Sequence, residues 1–286
     1  MEKSNLFQII IGALIFISSL VLAIVYHYNR FYTLLLLGMF LILNSLYKII
    51  TKKELLNKLN FFKTYIVFFL FGIFGDLIFG IYVTKLWSYP SYSLINFIWL
   101  YIFIYPFGGY VMLYTFKLLE HLFFLNENLM VAKEENEKYK FISKVLSIVG
   151  CLGIFLSLIS EMNYKSFISY GFFVLTCFGL LSWGTLNLVK FNIFSKYKRH
   201  PLKFTFIILL VSYVQGFLHE YPNTFVYEWL YHQNFPFSDI TLLDIQVLVL
   251  FLGWLALAVI PYMMYELAVA ITKNNLKKFL QKLKSN

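Results

Sequence analysis

The sequence predicts an all-α membrane protein, a polytopic bundle of about eight transmembrane helices. Three observations predict it. Of the 286 residues, 60% are hydrophobic and 13% are charged, against about 45–50% and about 25% in a soluble domain. The apolar residues form eight long continuous runs, unlike the short alternating segments of a barrel. Basic residues gather between alternate pairs of those runs. So much apolar surface excludes a disordered chain. With two cysteines in the whole chain, a disulfide scaffold is excluded too.

A helix needs about 20 mostly apolar residues to cross the hydrocarbon core. Backbone polar groups there must be paired within the segment, which favours helices. The first run, Leu6–Tyr26, is longer than the apolar region of a secretory signal. No small-residue cleavage motif follows it, so it reads as a mature helix. The second and third runs are Phe31–Ile50 and Phe61–Val83. The fourth, Leu94–Leu119, is long enough to tilt or project, and Pro106 should kink it. The fifth and sixth are Phe141–Ser160 and Phe167–Val189. The seventh is Leu202–His219, with Pro201 suited to its first turn. The eighth, Leu243–Ile271, is again long, with Pro261 as its expected kink.

Charge sets the orientation. An N-terminus in the cytoplasm places 21 of the 24 Lys and Arg on that side, leaving Arg30, Lys85 and Lys165 outside. This is the positive-inside pattern. It predicts a cell-membrane protein with both termini cytoplasmic. The net charge of +10 is then a topology signal, and no soluble basic domain exists to hold nucleic acid. The tail after Thr272 places Leu276, Phe279, Leu280 and Leu283 on one helical stripe. Lys277, Lys278, Lys282 and Lys284 cover the rest. Such a helix lies on the bilayer and is drawn to anionic lipid.

The two halves share a pattern. Trp87-Ser-Tyr89, Trp99 and Pro106 stand in one order, and Trp229-Leu-Tyr231, Trp254 and Pro261 repeat it. Each Trp-x-Tyr follows an odd-numbered span, and each second Trp precedes its Pro by seven residues. The pattern predicts two parallel four-helix repeats, residues 1–119 and 141–271. A charged cytoplasmic linker, 120–140, would join them, and 272–286 would be the tail.

Asp76 is the most informative single residue. It lies inside the third span between Gly75 and Gly80, where a charge is expensive and usually faces a bundle interior or water. A buried Asp satisfied by Tyr hydroxyls is the structural alternative. His219 and Glu220 close the seventh span at the same outer depth. The last outer loop, Glu220 to Asp239, has no Lys or Arg. It holds Glu228 amid Trp229, Tyr231 and other aromatics. An interfacial aromatic belt explains this; so does a cavity lid able to attract a cation through carboxylates and ring faces. Asp76, Trp87, Tyr89, His219, Glu220, Glu228, Trp229 and Tyr231 form the candidate ligand-binding set. Glu161, Glu120 and Glu266 lie near span ends and read as inexpensive interfacial acids. No second His stands at metal-ligand spacing, so neither metal nor cofactor is expected. Cys151 and Cys177 read as small packing residues.

From Asp76 through Trp87 to Pro106 the chain faintly resembles the membrane-embedded lycopene cyclase domain. That family follows the Pro with two Glu, whereas Phe107 and Gly108 stand here. The resemblance implies acid chemistry on an isoprenoid, and the absent Glu pair removes its acids. The use of Ile, Phe, Lys and Asn resembles that of multi-pass proteins from low-GC Gram-positive bacteria.

Three functions fit. The first is binding or transport of a lipid or small amphipathic or cationic ligand in an outward-facing cavity. The second is a structural or assembly role with a protein partner or second copy. The third is an enzyme on a lipid or isoprenoid, with Asp76 and Glu220 as acid and base. The reading leans toward a protein that is not an enzyme.

Overall fold

The structure, a computed structural model, describes residues 2–124, 133–189, 197, 200–232 and 237–285. The side chains of residues 2, 133–136, 189 and 272–285 are outside that description. So are most of the expected charged linker, the loop basics Lys196, Lys198 and Arg199, and the side chains of the basic tail.

Among the described residues, eight helices are long and apolar enough to cross a membrane, as the sequence predicts. They are α1 (Glu2–Ile24), α2 (Tyr32–Thr51), α3 (Lys58–Val83), α4 (Leu94–Phe123), α5 (Lys133–Ile159), α6 (Lys165–Val189), α7 (Pro201–Val226) and α8 (Val249–Gly253, continuing as Trp254–Ser285). The protein is a multi-pass membrane bundle. Its outer surface agrees: on α5, Phe141, Val145, Ile148, Leu152, Phe155 and Ile159 all stay exposed. Their spacing of three and four residues draws one apolar stripe along the helix. Water would penalise that stripe, whereas lipid tails do not.

Local signals set several helix starts. The Asn57 side chain accepts a bond from Asn60 N at 2.9 Å, capping α3 in the way that satisfies an orphan donor. Pro201 opens α7, where its missing N–H is harmless.

Two hairpins flank the core. In one, α1 crosses α2 so closely that a Cβ on Gly38 would sit 2.7 Å from Phe16 N. In the other, Ser143 bonds Ser182 and Ser157 bonds Ser169, each at 2.7 Å, between α5 and α6. Small residues that let backbones approach are the usual helix glue in lipid. Helices α4 and α8 meet at the centre. Around them the packing mirrors itself: α2 lies on α4 as α6 lies on α8, and α3 meets α8 as α4 meets α7.

Beyond the helix ends, the described residues include four two-residue strands. β1 (Trp87–Ser88) pairs antiparallel with β2 (Leu230–Tyr231), with Trp87 opposite Tyr231. β3 (Thr241–Leu242) and β4 (Ile245–Gln246) form a hairpin before α8. This corrects the expected start of the eighth span at Leu243, because left-handed Leu243 and Asp244 turn the chain there. The end of the bundle carrying β1 and β2 is called the strand end. The opposite end, where α1 starts and α8 finishes, is the terminal end.

The seventh span also differs from expectation. Helix α7 runs through Pro222 to Val226, so His219 and Glu220 lie inside it rather than at its close. Asn223 stabilises the far end: its side chain bonds both O and N of Trp229, at 2.9 and 3.2 Å.

Among the described residues, three stretches wind as π-helix: Gly72–Val83 in α3, Leu100–Ile104 in α4 and Val249–Gly253 in α8. Such winding is rare and occurs frequently at functional sites. Each stretch contributes residues to the cavity described next.

Candidate functional site: two carboxylates on one aromatic cavity

A partly open cavity of about 220 Å³ lies between α3, α4, α6, α7 and α8. Asp76 from α3 and Glu220 from α7 both line it, and each is only 3% exposed. The structure therefore brings together two acids that stand 144 positions apart in the sequence.

The two acids are held alike. Asp76 Oδ1 accepts from Trp87 Nε1 at 2.5 Å and from the Tyr89 hydroxyl at 3.1 Å. Its Oδ2 accepts from the Tyr101 hydroxyl at 2.6 Å. Glu220 Oε2 accepts from Trp229 Nε1 at 3.1 Å. Its Oε1 accepts from the Tyr231 hydroxyl at 2.7 Å and from Trp254 Nε1 at 3.1 Å. Each Trp-x-Tyr segment thus serves the acid of its own half. Residues two apart on a strand share a face, and pairing of β1 with β2 sets the two segments side by side.

Glycines make room for the indoles. A Cβ on Gly80 would meet Trp87 Cζ2 at 2.1 Å, and one on Gly216 would meet Trp254 Cγ at 2.8 Å. Gly80 stands one helical turn after Asp76, and Gly216 one turn before Glu220. Each acid is therefore bonded by an indole that lies over a glycine on the same helix.

All six of these donors are neutral groups. Burial and then the nearby Asp76 hold the Tyr89 hydroxyl well above its usual range; burial and then Glu220 do the same to Tyr231. Both hydroxyls keep their protons and remain donors. Among the described residues that line the cavity there is no Lys or Arg. The carboxylates have hydrogen bonds but no counter-charge.

His219 also lines the cavity. Its Nδ1 contacts the Gln215 carbonyl oxygen at 2.5 Å. A carbonyl can only accept, so Nδ1 carries the proton and Nε2 presents a lone pair. The ring stacks on Trp254 with centroids 4.7 Å apart and meets the edge of Tyr32 at 5.2 Å.

Of the eight candidate residues, seven line this cavity: Asp76, Trp87, Tyr89, His219, Glu220, Trp229 and Tyr231. Glu228 stands apart. It is buried at a loop junction, where it accepts from the Tyr92 hydroxyl and from Tyr32 N at 3.4 Å. It ties the loop after α3 and the start of α2 to the segment after α7. Burial holds its carboxyl up to about 7.

The sequence pattern misses Tyr101, which supplies a bond to Asp76 from the π-helical turn of α4. It sets Trp254 beside Trp99, but their surroundings differ. Trp254 is buried on Glu220, whereas Trp99 is half exposed and bonds Thr33 Oγ1 at 3.0 Å. Trp99 precedes a π-helical turn and Trp254 follows one, so equal spacing to proline does not give an equal direction.

A second polar cluster lies toward the terminal end. Lys117 Nζ bridges Glu120 at 3.0 Å and Glu266 at 3.1 Å, joining α4 to α8. It also sits over the Tyr262 ring, 4.4 Å from its centroid. The Tyr197 hydroxyl donates to Glu120. These two acids are thus part of a built ion cluster, contrary to their reading as inexpensive interfacial residues.

Cys151 is exposed and Cys177 half-buried, both as free thiols. Among the described residues, no three His, Cys, Asp or Glu side chains gather into a metal-holding group. No protein-family model matches the chain, and no curated protein or solved structure matches it significantly.

Proposed function

We propose that this protein binds a small organic cation in the strand-end cavity and passes it across the membrane. The observation that carries this reading is the pair of buried carboxylates on one aromatic-lined cavity, supplied with neutral donors and with no Lys or Arg among the described lining residues. Ring faces and carboxylates together attract cations, most strongly where water is excluded. Acidic residues in a membrane interior ordinarily mark a substrate or ion path. Volume points the same way. A cavity of about 150 Å³ takes benzene, so about 220 Å³ suits a compact molecule better than a long isoprenoid chain. That disfavours the cyclase-like reading.

The mirrored packing of α2, α4, α6 and α8, with the two Trp-x-Tyr clamps, supports a duplicated four-helix unit. In that reading the pseudo-axis runs along the membrane normal, an arrangement used by transporters. The excess of Lys and Arg toward the terminal end supports a cytoplasmic position for that end. The cavity then faces outward.

Binding is tested on the full chain in lipid nanodiscs by titrating tetramethylammonium. Trp87, Trp229 and Trp254 line the cavity, so a bound cation should quench intrinsic fluorescence. Asp76→Asn combined with Glu220→Gln should abolish the change while the protein stays folded. No quenching by any small amine in folded protein would overturn the reading.

A further inference from the structure

The two carboxylates pose a charge problem that one positive charge does not solve. Resting on the cation-binding reading above, we propose that the ligand is a dication: a linear diamine with one ammonium group for Asp76 and one for Glu220.

Three observations converge on this. The half-sites are chemically equivalent: each has one carboxylate, one Trp-x-Tyr pair donating to it, and a further ring donor from a central helix, Tyr101 on α4 or Trp254 on α8. A ligand matching such a site has two equivalent ends. Second, the described lining supplies no positive charge. With both acids ionised, a monocation would leave one carboxylate buried without a counter-charge, which is strongly penalised, or would require a proton on that carboxyl. A dication neutralises both. Third, Glu220 accepts three bonds of the about four that an ionised carboxylate offers, which leaves about one position for an ammonium N–H. Asp76 is also reached by the Tyr105 hydroxyl, and there an ammonium group would take the place of one neutral donor. His219 Nε2 adds an acceptor beside Glu220.

Size limits the chain between the two heads. Scaled from benzene, a cavity of about 220 Å³ holds about six to nine non-hydrogen atoms. That corresponds to a short diamine rather than an extended polyamine.

The experiment compares cadaverine with n-pentylamine, which has the same carbon chain and one ammonium group fewer. Both are titrated into nanodisc-embedded full-length protein at neutral pH. The expected result is tighter cadaverine binding by at least about tenfold. Asp76→Asn and Glu220→Gln, each alone, should lower cadaverine affinity to the pentylamine level while pentylamine changes little. Equal affinity for the two amines in the unaltered protein would overturn the diamine assignment and leave cation binding intact. If neither amine nor tetramethylammonium binds, both fail. The comparison on unaltered protein needs no variant to fold.

Discussion

Trp87 and Tyr231 face each other across the β1–β2 pair, yet they donate to different acids, Trp87 to Asp76 and Tyr231 to Glu220. One short ribbon therefore holds both carboxylates of the cavity. A disturbance of either strand reaches the opposite half through this pairing.

Gly80→Ala should displace Trp87. The new methyl carbon would lie 2.1 Å from the indole, and a partly buried ring held by its bond to Asp76 has little room to yield. The expected loss is about 1–3 kcal/mol, read as a lower unfolding midpoint in detergent, with a red shift in indole emission. Gly171→Ala is the matched control, because nothing lies within 4 Å of its added carbon. A stability loss as large at Gly171 would show that the effect belongs to helical glycines in general.

Lys117→Met should destabilise the terminal end. It strips the ammonium from Glu120 and Glu266 while both remain largely covered. Removing one partner of a buried ion pair costs about 3 kcal/mol or more. Adding Glu120→Gln and Glu266→Gln to the same chain should recover much of the loss. A triple variant no more stable than the single one would mean that the cost is lost packing under Tyr262.

Glu228 sets a pH dependence. Burial raises its carboxyl from the usual 4.5 to about 7, against the Tyr92 hydroxyl, the Tyr32 N–H and the charge of Arg30, which all act to lower it. The folded chain holds this proton more tightly than the unfolded chain. Its contribution is fully present below about pH 4.5 and is lost as pH rises through about 7. The amount at stake is on the order of 3 kcal/mol. Glu228→Gln should flatten the stability profile across that window and exceed the parent above it. Unfolding midpoints of parent and variant from acid to mildly alkaline pH provide the check.

Orientation is testable by labelling from one side. With Cys151 and Cys177 replaced, Asp239→Cys and Lys53→Cys each place one thiol at an exposed position. A membrane-impermeant maleimide added to intact cells should reach position 239 and leave position 53 unlabelled until the cells are opened. The reverse pattern would invert the topology.

The helices were legible because hydrocarbon thickness imposes a length, and each apolar run meets it. Asp76 was legible because charge is scarce around it. Its partners Trp87 and Tyr89 stood out as a pattern repeated later in the chain. The depth of Glu220 was not legible: Pro222 resembles a helix stop, yet α7 continues past it, anchored by Asn223. The Lys117 cluster was hidden for another reason. Glu266 is 149 positions from Lys117, and nothing in the local sequence signals that the two helices meet. The π-helical turns left no mark either, and they decide that Trp254 points inward while Trp99 points out.

The donors to each acid also follow it closely in the order of synthesis. Asp76 finds Trp87, Tyr89 and Tyr101 within 25 positions downstream. Glu220 finds all of its donors within 34. A nascent chain inserting from its N-terminus can therefore satisfy the first carboxylate before the fifth helix leaves the ribosome. Each acid thus finds its donors in its own half of the sequence, Glu220 only once Trp254 of the last span is in place. The ribbon between β1 and β2 is then a late seam, closed once the seventh helix is in place.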